Sequence, residues 1–242
     1  MNPFVLKCAL DAVPWGKQLH TANTVHLELT SNPNANHTTV TESWITSFMQ
    51  HKLPLGEIHT LILPLTHLRD VSELGTVHTL YFNGIGEVVD VAWLSTVHTL
   101  ELDTEIYLFH LSCLGNVHTL TLRGCIVSGS DFISNLNSVH TLRLFRCNSV
   151  SNLAALRTVH SLLLWGCNEI TSVSDVKSVH TLALGMLRVS DLSPITTVHS
   201  LFIEPFYQNV STIRYVKEYC DCVYCGLLMF APKPYNNPIP VY

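Results

Sequence analysis

Eight histidines recur along this chain at nearly fixed intervals: His59, His78, His98, His118, His140, His160, His180 and His199, with steps of 19, 20, 20, 22, 20, 20 and 19 residues. Around each the pattern is apolar-His-Thr/Ser-Leu-x-apolar. Repetition at this period constrains the fold more than any other feature, because each repeat must be one structural unit. Numbering from the apolar residue before each histidine, positions 4 and 6 alternate as the two inward side chains of a short β-strand. One such unit cannot bury its apolar face alone. Successive units must therefore stack as coils around a shared core.

The unit Val117-x-x-Leu120-x-Leu122-x-x-Cys125 resembles the leucine-rich repeat, whose strand segment reads L-x-x-L-x-L-x-x-N/C. Segments such as "DVSELGTVHTL" (70–80), "DVAWLSTVHTL" (90–100) and "VSDLSPITTVHSL" (189–201) are similar to the short, internalin-like class. The expected fold is an α/β repeat solenoid, right-handed, with a parallel β-sheet on the concave face. A coil of about 20 residues has no room for a full helix after its strand, so the convex side is expected to be 3₁₀ or irregular. The Val-His-Thr-Leu variant also resembles repeats in proteins of giant amoeba-infecting DNA viruses.

The expected organisation is an N-terminal helical cap (1–23), a solenoid of about ten coils (24–226) and an extended Pro-rich tail (227–242). The cap follows from "NPFVLKCALDAVP", with Pro3 at a first helical turn. "TVHLELTSN" (24–32) starts the coils with Leu27 and Leu29 at positions 4 and 6. A helical insert at 39–53 follows from the capping box Thr39-x-x-Glu42, the apolar face Val40, Trp44, Ile45, Phe48 and Met49, and the stop at Pro54. At the other end, extending the 19-residue step puts Cys220 and Cys222 at positions 4 and 6, and Cys225 at position 9. There it joins Cys125, Cys147 and Cys167 as a weak donor to loop carbonyls. The phase argues for a degenerate strand over a zinc site.

Composition narrows the functional classes. Charged residues are only 13% of the chain, about half the usual roughly 25%. A net charge of −5 without a basic run argues against nucleic-acid binding. No apolar stretch reaches the ~20 residues of a membrane span. The N-terminus lacks the basic region and cleavage site of a secretory leader, so a cytoplasmic chain with cysteines as thiols is expected. The viral resemblance would place it in host cytoplasm or a virion.

Identical histidines in identical settings imply construction rather than catalysis, which needs one or two residues distinguished by their partners. The eight are expected to form a structural ladder of neutral imidazoles with depressed pKa values. No phosphate-binding glycine loop, nucleophile elbow or H-E-x-x-H occurs, so neither catalytic residues nor a cofactor or metal is expected. The outward strand positions 5 and 7 vary, and among them Tyr81, Arg123, Arg143, Phe145, Leu163, Trp165 and Phe202, with Arg146 beside them, have the composition of a protein-binding hot spot. The expected function is a non-catalytic scaffold binding a protein partner through this face. Two alternatives are a structural component of a large virus particle, contacting neighbouring subunits, and a metal-dependent enzyme built on the histidine column.

Overall fold

A computed structural model describes residues 4–9, 24–30, 57–66, 71–84, 89–104, 108–125, 130–204 and 222–225. The helical insert expected at 39–53 and the tail at 227–242 lie outside them. The strands in chain order are β1 (Phe4–Ala9), β2 (Thr24–Thr30), β3 (Glu57–Thr66), β4 (Thr79–Gly84), β5 (Val89–Asp90), β6 (Thr99–Thr104), β7 (Leu108–Phe109), β8 (Thr119–Arg123), β9 (Thr141–Phe145), β10 (Ser161–Trp165), β11 (Thr181–Gly185), β12 (Ser200–Ile203) and β13 (Cys222–Cys225). Eleven form one parallel sheet in the order β1-β2-β3-β4-β6-β8-β9-β10-β11-β12-β13, while β5 and β7 pair separately. Chain order and spatial order coincide throughout the main sheet, which is the signature of a solenoid.

The register follows the repeat. Leu80, Leu100, Leu120, Leu142, Leu162, Leu182 and Leu201 stand opposite one another from strand to strand. All are 0–2% exposed, as are the position-6 residues from Leu63 to Ile203. Opposite the sheet, 3₁₀ turns span Ser72–Thr76, Ala92–Thr96, Leu111–Asn116, Ser130–Ser138, Ala154–Thr158, Ser174–Val176 and Ser193–Ile195. A 3₁₀ turn eclipses residues three apart, so Val71 and Leu74, Val91 and Leu94, and Leu153 and Leu156 all face the core. The convex side is 3₁₀, as the coil length requires.

Hydroxyls tie the coils together just before five of the strands, β6 and β9 to β12. Thr96, Ser138, Thr158, Ser178 and Thr197 donate to the carbonyls of Gly75, Gly115, Asn137, Arg157 and Lys177 in the preceding coil, at 2.6–2.9 Å. Coils approach closely here: a methyl group on Gly115 would stand 2.3 Å from the carbonyl oxygen of Asn135.

Two expectations at the ends are corrected. Residues 4–9, expected within a helical cap, form β1, which pairs with β2 in register, Leu6 opposite Leu27 and Cys8 opposite Leu29. Leu6-x-Cys8 is therefore the repeat alternation itself, making eleven strands where about ten coils were expected. A short apolar run does not distinguish helix from strand by periodicity, and the unpaired edge of β2 favours the strand. At the C-terminal end, Cys222 pairs with Ser200, Val223 with Leu201 and Cys225 with Ile203. Val223 and Cys225, not Cys220 and Cys222, thus hold positions 4 and 6. The step from Leu201 is 22 residues, like that from Leu120 to Leu142, and it gives position 4 a β-branched residue suited to a strand.

Candidate protein-binding face

The histidine column is continuous. From His59 to His199 the neighbouring ring centroids are 4.4–4.7 Å apart, with planes within 10–21° except for a 33° tilt between His140 and His160. In the rungs other than His160, Nδ1 lies 3.0–3.3 Å from the hydroxyl of the next residue, Thr or Ser. The backbone repeats as well: the His78 carbonyl accepts from the N–H groups of both His98 and Thr99. Burial, then the neighbouring rungs His59 and His98, lowers the pKa of His78. Burial, then His140 and His180, does the same at His160.

This geometry bears on metal binding. A ligand lone pair lies in its imidazole plane, and near-parallel planes do not meet at a nearby point where one ion could be held at the ~2.0–2.1 Å of a metal–nitrogen bond. Among the described residues, no three His, Cys, Asp or Glu side chains converge on such a point.

A second column lies at the strand exits. Cys147 Sγ is 3.5 Å from the carbonyl oxygens of both Leu122 and Phe145, and Cys167 Sγ is 3.6 Å from those of Leu144 and Trp165. Cys125 reaches the Arg123 carbonyl at 3.6 Å. All three are buried free thiols, in contrast to the exposed Cys113. The adjacent Cys125 thiol pushes Cys147 up to about 12, with Cys167 opposing and burial adding to the rise, and Cys147 with burial raises Cys167 as well. Since the thiolate is the nucleophile, iodoacetamide at pH 8 is expected to modify Cys113 at least tenfold faster than Cys147 or Cys167 in the folded protein. Peptide mass mapping reads this, and equal rates would contradict the burial.

The outer face of the sheet is where the coils differ. At position 5 the row runs Tyr81, Glu101, Thr121, Arg143, Leu163, Ala183, Phe202. At position 7 it runs Asp103, Arg123, Phe145, Trp165, Gly185 from β6 to β11. Arg123 links three strands: its Nε donates to Glu101 Oε1 at 2.8 Å, and its guanidinium carbon lies 3.9 Å from the Phe145 ring centroid. Both ends of that ion pair are about one-fifth exposed, at 20% and 18%. The arrangement combines a charge-assisted hydrogen bond with a cation–π contact. Tyr81 is partly buried, and its phenol is raised by burial and then by Glu101, with Arg143 opposing. Arg143, Phe145, Trp165 and Phe202 are partly exposed, as a binding face requires.

Two residues expected on this face are placed differently. Leu163 is only 5% exposed. Side chains on strands ~4.8 Å apart share much of each other's surface, and a leucine in register between Arg143 and Ala183 is enclosed. Arg146 has left the strand: it adopts φ 53°, its backbone N–H donates to the Trp165 carbonyl at 2.7 Å, and its stem lies beside Gly166. It belongs to the turn after β9.

The residues not singled out from sequence are Gly185 and Glu204. Trp165 lies over Gly185, where an added methyl would meet ring carbon Cε3 at 2.4 Å and Glu204 Oε2 at 3.0 Å. Glu204 follows β12 at the next place in the position-7 row and is 3% exposed. Aligning the coils would have revealed the order Trp-Gly-Glu across neighbouring strands.

Among the described residues no helix is long and apolar enough to cross a membrane. No family profile matches the sequence, and no curated protein matches it. Two solved internalins of Listeria monocytogenes align with the structure. The inlF internalin does so at TM-score 0.48 and 13% identity, over 84% of this chain and 66% of its own length. Internalin C2 (inlC2) aligns at TM-score 0.40 and 19% identity, over 76% and 72%.

Proposed function

We propose that this chain is a non-catalytic scaffold that binds a partner protein on the outer face of its sheet, centred on Arg143, Phe145 and Trp165. The observation behind this reading is that partly exposed aromatic and arginine side chains share one rigid sheet, with Arg123 holding Phe145 in place. The repeat requires positions 4 and 6 to be apolar but makes no demand on 5 and 7. Large aromatic side chains at outward positions therefore serve contact rather than construction.

The test is the double substitution Arg143→Ala with Trp165→Ala. Neither side chain belongs to the core, so the melting temperature is expected to stay within a few degrees of the parent. The partner, identified by cross-linking mass spectrometry on native material, is expected to bind at least tenfold more weakly. Undiminished binding by the folded double variant would move the interface elsewhere. The Val-His-Thr-Leu resemblance supports a second reading, a structural component of a large virus particle. Co-purification with particles at fixed stoichiometry distinguishes it.

A further inference from the structure

The histidine column presents ring edges rather than ring faces. From His78 to His199 the imidazoles stack at 4.4–4.7 Å, so the faces between them are covered. All seven of these rungs are nonetheless exposed. In six of them Nδ1 is turned to the adjacent hydroxyl. Among the described residues nothing forms a hydrogen bond to Nε2 in any of the seven. The column therefore offers a line of open ring nitrogens, one per coil.

Its surroundings are short of negative charge. Within three residues of these rungs in the sequence, the only charged residues are Glu101, Arg143, Arg157 and Lys177. The single acid among them already accepts from Arg123 at 2.8 Å. Further along the strands, Asp103 and Glu204 stand five residues past their rungs, and Glu204 is enclosed. On the 3₁₀ side, Glu73, Asp90, Asp131, Asp175 and Asp191 stand five to nine residues ahead of theirs. Asp90 is bonded to His110. Two charges in water closer than about 7 Å repel by more than thermal energy, and the rungs are nearer than that. A protonated column thus gathers anions, and a polymer that carries several at once displaces the small ions it has gathered.

We propose that the column, once protonated, is a second interaction surface, separate from the outer face of the sheet, and that it binds a carboxylate-rich polypeptide segment. Each ionised Asp or Glu accepts from Nε2–H, and its two oxygens let one carboxylate serve two adjacent rungs. Nucleic acid suits the column less well. Its recognition relies on rows of permanent cations and on aromatic faces that stack with bases. Here the ring faces are covered by one another, and only three permanent cations lie near the rungs. Attraction to carboxylates is confined to the range where both partners are charged, about pH 4.3 to 6.5. Binding and protonation are reciprocal, so the bound segment also raises the affinity of the rungs for protons.

The probe is fluorescein-labelled poly-L-glutamate, and its binding to the full chain is read by anisotropy at pH 6.0 and 7.5. Binding is expected to be at least tenfold tighter at pH 6.0 and to weaken with added salt. With a net charge of −5 at pH 7 and 14 histidines, the whole chain also turns cationic as pH falls. His98→Gln/His118→Gln/His140→Gln is therefore compared with His20→Gln/His37→Gln/His51→Gln, which removes as many imidazoles from outside the repeat. The column variant is expected to lose at least fivefold in affinity and the other less than twofold. Equal losses, or equal binding at the two pH values, would overturn the proposal. The unmodified protein gives a measurement that does not depend on these variants folding. The imidazole C2–H NMR signals of the rungs are expected to titrate at higher pH with polyglutamate than without, and unchanged midpoints would count against the column. Tighter binding of polyuridylate at equal charge concentration would refute the choice of carboxylates. Trp165→Ala is expected to bind polyglutamate as the parent does; loss there would place the polymer on the outer face instead and end the case for a second surface.

Discussion

Leu142→Ala is expected to destabilise the solenoid by about 2–5 kcal/mol, the range for deleting a fully buried leucine side chain. Leu142 is 0% exposed and stands in register between Leu120 and Leu162 at the middle of the sheet. Its removal takes away the burial of three methylene-sized groups and leaves a cavity that two rigidly spaced neighbours cannot close. In a globular core the loss would spread over the whole structure. In a solenoid each coil contacts only its neighbours, so the damage is local. Amide exchange is accordingly expected to accelerate first in β8, β9 and β10, with β4 and β11 affected less. Urea unfolding gives the magnitude and hydrogen exchange the location. A loss under 1 kcal/mol, or acceleration spread evenly along the sheet, would refute this account of how the coils share their core.

The second large effect comes from acidification. His78 and His160 are bases whose folded-state pKa values lie below the ordinary 6.5, through burial first and their neighbouring rungs second. For such a base the unfolded chain takes up protons more readily than the folded one. The stability is whole when the imidazoles are neutral, above 6.5, and is lost as pH falls below that value toward the depressed folded-state pKa. Two charged rungs 4.6 Å apart repel by roughly 1 kcal/mol even at the dielectric constant of water, and the column has seven neighbouring pairs. Glu204, raised by burial, acts oppositely over part of this range, gaining stability on protonation. The melting temperature is therefore best compared with that of a His78→Asn/His160→Asn variant, which removes two charges and keeps polar atoms near the Nδ1 positions. From pH 7.5 to 5 the parent is expected to lose more stability than the variant, and the difference should shrink in 1 M salt, where the Debye length falls to about 3 Å. Parallel pH profiles would dispose of the electrostatic account.

The stacked coils, the parallel sheet, the inward leucines, the 3₁₀ turns and the histidine column were all legible in the sequence because each belongs to a repeat. A feature present eight times is over-determined, and its neighbours are copies of itself. The readings that needed correction fall where the repeat fades. Leu6-x-Cys8 is a single degenerate copy next to a proline, and the "YCDCVYC" segment was given its phase by extending an average period. The face was legible in composition but not in exposure. Arg143, Phe145 and Trp165 are where the strand alternation places them. The enclosure of Leu163 depends on the side chains beside it, and the turn that carries Arg146 away depends on a backbone at positive φ.

The sequence by itself determined the architecture, since period, alternation and apolar spacing are local properties that each coil carries in full. Only the tertiary structure decided which outward residues act together. Neighbours on that face are about 20 residues apart in the chain and one strand apart in space. Whether Arg123 closes on Glu101 and Phe145, or Trp165 leans over Gly185 toward Glu204, is settled by side-chain size and charge across strands. No single repeat contains that information.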